Sequence, residues 1–396
     1  MTRHHAGRMA AMAAALTLTL IGVTAPAPAA AQASDWWQSL WRLDEVWRLT
    51  EGEGTVVAVI DSGVDEVPEL AGAVLPGTDL DGKAPDGRTD EGENKHGTRM
   101  ALLIAGRGTV SGLRGIAPAT TILPIMFPNS TLDGNSRGFT RGILYAVEQG
   151  AHVINISMGH PGECPQHLSD AIRYAISRDV IVVAASGNLH RGHSWRPTHG
   201  TPGNCPGAIT VGAIGPQLEP WRDSHRSEHV DVTAPGAEIY VPSVNGGIGV
   251  GRGTSNAAAL VSGTLALLRA AYPEASAHDL VTRLIATTQD LGEPGRDDAT
   301  GHGLVRPLDA LTATIPDGTP NPVYDPLGDL TNVAAPTLPG TPKPSAPDFA
   351  PPPVGGAGTG TGDGTPPVAL LAVGLGLLAA AVVALILLIR RRPTRP

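Results

Sequence analysis

The sequence predicts an α/β fold, a parallel sheet covered by helices on both faces, and three observations carry that expectation. Short apolar runs alternate with amphipathic stretches from residue 55 to about 311, the pattern of strands joined by crossover helices. Several runs are nearly continuous in Val, Ile and Ala, as befits strands buried on both faces. The 396-residue chain is 41% hydrophobic, enough for one large core with appendages.

In chain order, strands are expected over residues 55–60, 121–126, 152–157, 180–185 and 208–213. Helices are expected over 97–105, 136–149, 168–178, 255–271 and 277–288, with apolar faces that cover the sheet. Ahead of the first strand, residues 34–54 hold Trp36, Trp37, Trp41 and Trp47, four of the six tryptophans. Trp37 and Trp41 stand one helical turn apart, and Leu40, Leu43 and Trp47 continue an apolar stripe, so the segment is expected to pack on the domain. At about 20 residues it is too short for a separate folded inhibitory domain, and it reads as a permanent clamp.

The two ends carry targeting signals. Arg3, His4, His5 and Arg8 precede an apolar stretch over 9–23, and small residues follow through Ala33. That is the layout of a secretory signal peptide over 1–33, cleaved after Ala31 or Ala33. Residues 312–367 read as a linker, with 14 prolines between 316 and 367, and with a soft start where Tyr324, Leu327 and Leu330 are apolar enough to pack on the domain. Residues 368–389 then run for 22 positions without a charge, a length that at about 1.5 Å per residue crosses a hydrocarbon layer of about 30 Å. Arg390, Arg391, Arg392 and Arg395 follow in the tip 390–396, a cluster that stays on the cytoplasmic side. The chain is therefore expected at the cell membrane with a single span, its large domain extracytoplasmic. In that oxidising location Cys164 and Cys205, the only cysteines, are expected to pair. The net charge of −9 argues against a nucleic-acid partner.

Four short motifs carry chemistry. The buried run 56–60 ends in Asp61-Ser-Gly, which places an acid at the carboxyl edge of the sheet, where ligand clefts form. His96-Gly-Thr opens an apolar helix, Gly253-Thr-Ser255 opens another, and the strand 182–185 leads to Asn188. A hydroxyl needs a base to take its proton, and a neutral histidine needs an acid to fix its tautomer. Asp61, His96 and Ser255 supply those parts, and Asn188 Nδ2 with the Ser255 backbone N–H supplies donors for an oxyanion.

These blocks, in the order Asp, His, Asn, Ser, resemble the signatures of the subtilase superfamily, whose chain order of Asp, His, Ser is well known. The resemblance spans about residues 54–311. It implies a subtilisin-like catalytic domain over 55–311, serine endopeptidase activity on protein or peptide substrates, and no cofactor. It also implies Asp61 as orienter, His96 as general base, Ser255 as nucleophile and Asn188 in the oxyanion hole. Ser157, Met158 and Gly159 resemble the family's strand that pairs with extended substrate, and packing within a core strand is an equal reading of the same residues. One departure stands out: many subtilases carry a Pro in the first turns after the nucleophile, where this chain has Asn256-Ala257-Ala258-Ala259. Alanine keeps the helix but does not fix its backbone as Pro would.

The ensemble of signal peptide, short N-terminal segment, subtilase domain, Pro-rich linker, single span and basic tip resembles the mycosins, membrane-anchored subtilases of type VII secretion systems. That resemblance implies cleavage of exported proteins at the outer face of the membrane, with type VII secretion components as partners. A structural component with a protease fold and little turnover is the competing reading. Six carboxylates between Asp79 and His96 read as a solvated polar loop rather than a calcium site. His190, His193, His199, His225 and His229 show no zinc-ligand spacing, so no metal is expected.

Overall fold

The computed structural model describes residues 36–127, 136–189, 200–244 and 247–337. The expected signal peptide, the later part of the linker, the apolar run 368–389 and the basic tip lie outside the described residues. Among the described residues, no helix is long and apolar enough to cross a membrane.

The Trp-rich segment forms two short helices, α1 (Trp36–Leu40) and α2 (Leu43–Val46), broken at Arg42 in left-handed backbone. The sheet strands are β1 (Val56–Asp61), β2 (Thr78–Asp79), β3 (Thr121–Met126) and β4 (Val153–Ile156). After the short β5 (His160–Pro161) come β6 (Ile181–Ala185), the short β7 (Gly200–Thr201), β8 (Ile209–Ile214) and β9 (Val232–Pro235). Their order is β2-β3-β1-β4-β6-β8-β9, and every pairing within that sheet is parallel. The long helices are α3 (His96–Ala105), α4 (Ser136–Glu148), α5 (Gln166–Ser177), α6 (Thr254–Ala271) and α7 (Ala277–Ala286), followed by the short α8 (Pro307–Thr312).

The connections place the cleft. From β1 the chain runs out to the edge strand β2 and returns through α3 to β3, all on one side of β1, whereas β4 leads through α5 to β6 on the other side. α3 packs against α6, while α4 and α5 pack against each other. The carboxyl ends of adjacent β1 and β4 therefore flank a topological switch point, where a crevice opens. Asp61 ends β1, and Ser157 follows β4. β1 and β4 are buried throughout, as their continuous apolar runs predict, and α6 lies against both α3 and the sheet.

Strands β2 and β9 add to the five expected in the sheet, and two further features differ from the expectation. A hairpin of β10 (Ala237–Pro242) and β11 (Ile248–Arg252) precedes the Ser255 helix. Tyr324 is buried and Leu327 and Leu330 pack against the core, so the start of the linker stays on the domain, in line with the soft boundary expected there. Asn321 is fully buried, donating from Nδ2 to His278 O and Thr282 Oγ1, while Arg173 reaches Leu327 O. The acidic stretch before His96 is not simply solvated, because Asp79 and Asp90 are buried. Asp79 accepts the backbone N–H groups of Asp81, Lys83 and Ala84.

The Trp-rich segment packs as its stripe predicts: Trp37 and Trp41 are buried edge to face at 6.2 Å, and Trp47 Nε1 donates to Ile116 O. Cys164 and Cys205 form a disulfide.

Candidate active site

Asp61 is brought to His96 by a close approach of β1 and the first turn of α3. His96 Nδ1 lies 2.8 Å from Asp61 Oδ1 and 3.0 Å from Oδ2. Gly97 permits this contact: a Cβ there would stand 2.1 Å from Gly63 O and 3.0 Å from Asp61 Cβ. Gly63 turns the chain with φ +105, and a Cβ on it would meet Thr89 O at 2.0 Å. The Gly in each of the two motifs is thus a steric requirement of the pairing.

The carboxylate of Asp61 is fully buried and also accepts the Ser62 backbone N–H at 2.8 Å. A carboxylate can only accept here, so Nδ1 of His96 carries the proton and Nε2 keeps its lone pair. The negative charge of Asp61 raises the His96 pKa above the ordinary histidine value, against the opposing effect of burial.

Ser255 occupies the first turn of α6, with its hydroxyl donating to Ser157 O at 2.8 Å. A hydroxyl has one proton, so attack requires that this bond be exchanged for one to an imidazole nitrogen. Ser157 returns the contact, donating from Oγ to Ser255 O at 2.9 Å. Behind it, Asn155 Nδ2 donates to Ser157 Oγ while Asn155 Oδ1 accepts from Ser262 Oγ one helical stretch further along α6. The Pro-less helix start is tied down by other means: Asn256 Nδ2 and Gly253 N both donate to Gly236 O.

Asn188 follows β6 and turns its amide by what it accepts. Thr254 N and Thr254 Oγ1 both donate to Asn188 Oδ1 at 3.0 Å. The oxygen is therefore occupied on the α6 side, which leaves Nδ2 as the donor available to the cleft. Asn188 and Ser255 line one cavity of 180 Å³ together with Ser157, Met158, Gly159 and Gly200. The three residues expected along extended substrate thus lie beside the hydroxyl.

Thr254, Asn155 and Ser262 were not singled out from the sequence. Thr254 stood inside the Gly-Thr-Ser motif, but its partner is distant in sequence. His225 is buried, while His190, His193 and His199 lie outside the described residues.

An acid, an imidazole with a free Nε2, a hydroxyl at a helix start and an amide donor are the parts an acyl-transfer centre needs. Residues 52–303 match the sequence profile of the subtilase family. The chain is 32% identical over 267 residues to the intracellular serine protease of Paenibacillus polymyxa, covering 66% of this chain and 81% of that protein. It is 31% identical over 353 residues to mycosin-1 of Mycobacterium tuberculosis, covering 74% and 78%. Among solved structures, it resembles the serine protease MycP1, described as an essential component of the type VII (ESX-1) secretion system, with TM-score 0.63 and 31% identity over 70% of this chain and 88% of that one.

Proposed function

The chain belongs to the subtilase family of serine proteases, and from that premise we propose that it is an endopeptidase acting through Asp61, His96 and Ser255. The paired hydrogen bond of His96 Nδ1 to both oxygens of buried Asp61 carries the assignment. Ser255 Oγ attacks the scissile carbonyl as its proton passes to His96 Nε2. The imidazolium is stabilised by Asp61, and the oxyanion receives hydrogen bonds from Asn188 Nδ2 and the Ser255 N–H. Collapse expels the amine, which takes the proton from His96, and water repeats the sequence to release the acid. Extended substrate runs along Ser157, Met158 and Gly159, with a side chain in the adjoining cavity.

The protein works at the outer face of the membrane on exported proteins, in association with type VII secretion. Support comes from the likeness to mycosin-1 and MycP1, the disulfide, the apolar run 368–389 and the arginines that follow it. The domain boundaries at 34, 55 and 368 belong to the same reading. The test compares the proteins released by cells carrying Ser255→Ala with those of the parent, alongside cleavage of an unfolded protein by purified enzyme. Substrates that persist uncut in the variant, and Ser255-dependent cleavage in vitro, are expected. Identical sets of released proteins and no cleavage in vitro would leave only a structural role.

A further inference from the structure

We propose that Asp90 is a positioning residue for the Asp61 and His96 pair: its carboxylate fastens the end of β1 to the first turn of α3 and claims the Ser62 hydroxyl proton that Asp61 would otherwise receive. The proposal rests on the reading of His96 as the base.

Asp90 lies six residues before His96 in sequence and is 1% exposed. Its Oδ1 accepts from Ser62 Oγ at 2.8 Å and Gly92 N at 2.9 Å; its Oδ2 accepts from Thr98 N at 2.8 Å and Thr98 Oγ1 at 2.7 Å. The residue is itself held on both sides. Its N–H donates to Asp65 Oδ1, and its carbonyl accepts from Lys95 Nζ, which also pairs with Asp65 Oδ2.

The entry to α3 explains why such a group is needed. Asn94 and Lys95 both take left-handed backbone, with φ of 57 and 55, and Lys95 offers no side-chain cap. The first N–H groups of a helix lack internal partners. Here Gly97 N donates to Ser62 Oγ at 3.1 Å and Thr98 N to Asp90 Oδ2, so the helix that carries His96 is capped from the loop and strand that carry Asp61. A conformation of this kind persists only where surrounding contacts over-determine it. Displacing Asp90 therefore moves His96 relative to Asp61.

The second effect is electronic. Ser62 Oγ faces two carboxylates, Asp90 Oδ1 at 2.8 Å and Asp61 Oδ1 at 3.2 Å, and has one proton to give. The shorter contact takes it. Asp61 then keeps its charge for the imidazole rather than sharing it with a hydroxyl. Other charges around His96 are Arg99 on the same helix, Lys95 and Asp65 in the loops, and Glu238 and Arg252, which pair with each other on the hairpin packed against α3.

The test is an NMR titration of the His96 imidazole in the wild-type protein and in Asp90→Asn, with kcat and kcat/KM measured across pH on the same samples. Removing the charge and releasing the Ser62 proton onto Asp61 both weaken the hold on the imidazolium. The His96 midpoint is expected to fall by about half a pH unit or more, kcat by about tenfold, and KM by less than twofold either way. Ser62→Ala, which keeps the Thr98 cap, should lower kcat yet leave the midpoint in place, and it serves alone if Asp90→Asn does not fold. A wild-type midpoint and kcat in Asp90→Asn, or a raised midpoint in Ser62→Ala, overturns the proposal. The NMR titration reads Asp90 without turnover, so a wild-type protein lacking Ser255-dependent cleavage would count against the protease reading and not against this one.

Discussion

Ser255 and Ser157 hold each other twice, the hydroxyl of each donating to the backbone carbonyl of the other at 2.8 and 2.9 Å. The first turn of α6 and the end of β4 are thus fixed as one unit. Ser157→Ala removes one of the two bonds and leaves Ser255 O and Asn155 Nδ2 without that partner. An unsatisfied buried group costs about 1–3 kcal/mol. We expect a lower unfolding midpoint in urea and a kcat reduced by about tenfold, measured on a peptide substrate.

Asn188→Ala removes an amide whose oxygen is already committed to Thr254. Turnover should fall by about 10² to 10³ with KM nearly unchanged, the loss that follows removal of one oxyanion donor. Thr254→Ala keeps the backbone N–H bond to Asn188 Oδ1 but removes the hydroxyl's, and should reproduce a smaller part of the same loss. Steady-state kinetics of both variants check the order; an unchanged kcat in Asn188→Ala places the donor elsewhere.

The pH profile follows from the Asp61 and His96 pair. Only neutral His96 can take the Ser255 proton, so kcat/KM falls as pH drops through the His96 midpoint. Because Asp61 raises that midpoint, the acid limb should lie above the ordinary histidine value of 6.5. Asp61→Asn should move the limb to lower pH and reduce kcat by about 10⁴, since an amide favours the wrong tautomer. A limb at or below 6.5 in the wild-type protein would contradict the raised value.

The strands were legible where side-chain chemistry alone determined them. The run Val56 to Ile60 has no polar residue to expose, so it reads as a doubly buried strand and is one. The hairpin gave no such signal, because Ile248 and Val250 alternate with glycines and are exposed rather than buried. β9 is only four residues long and merges with its flanks. At the site, Asp61, His96, Asn188 and Ser255 were legible because each ends a strand or opens a helix. Asp90 was not, since six nearby carboxylates look alike until the fold buries one of them against Ser62 and Thr98. Asn155 looked like one polar residue within an apolar strand, and its meaning depends on Ser157 and Ser262.

The packing of the Trp-rich segment leads to a stability prediction. Trp37 and Trp41 are 0% and 1% exposed, and among the described residues neither indole N–H has a partner. Trp37→Ala should cost about 3–5 kcal/mol through lost burial and the cavity left behind. Trp37→Phe should cost much less, because it removes an unsatisfied N–H together with part of the ring. Urea denaturation of the two variants separates these contributions; equal losses would mean that the indole N–H is satisfied in solution.

If Ser255 is a nucleophile activated by His96, it reacts with a fluorophosphonate. Attack by Ser255 Oγ forms a phosphorus–oxygen bond and expels fluoride, leaving an adduct that mass spectrometry assigns to one residue. Stoichiometric labelling at Ser255, loss of labelling in Ser255→Ala and strong slowing in His96→Ala are expected. Folded wild-type protein that stays unlabelled, or labels elsewhere, would contradict it.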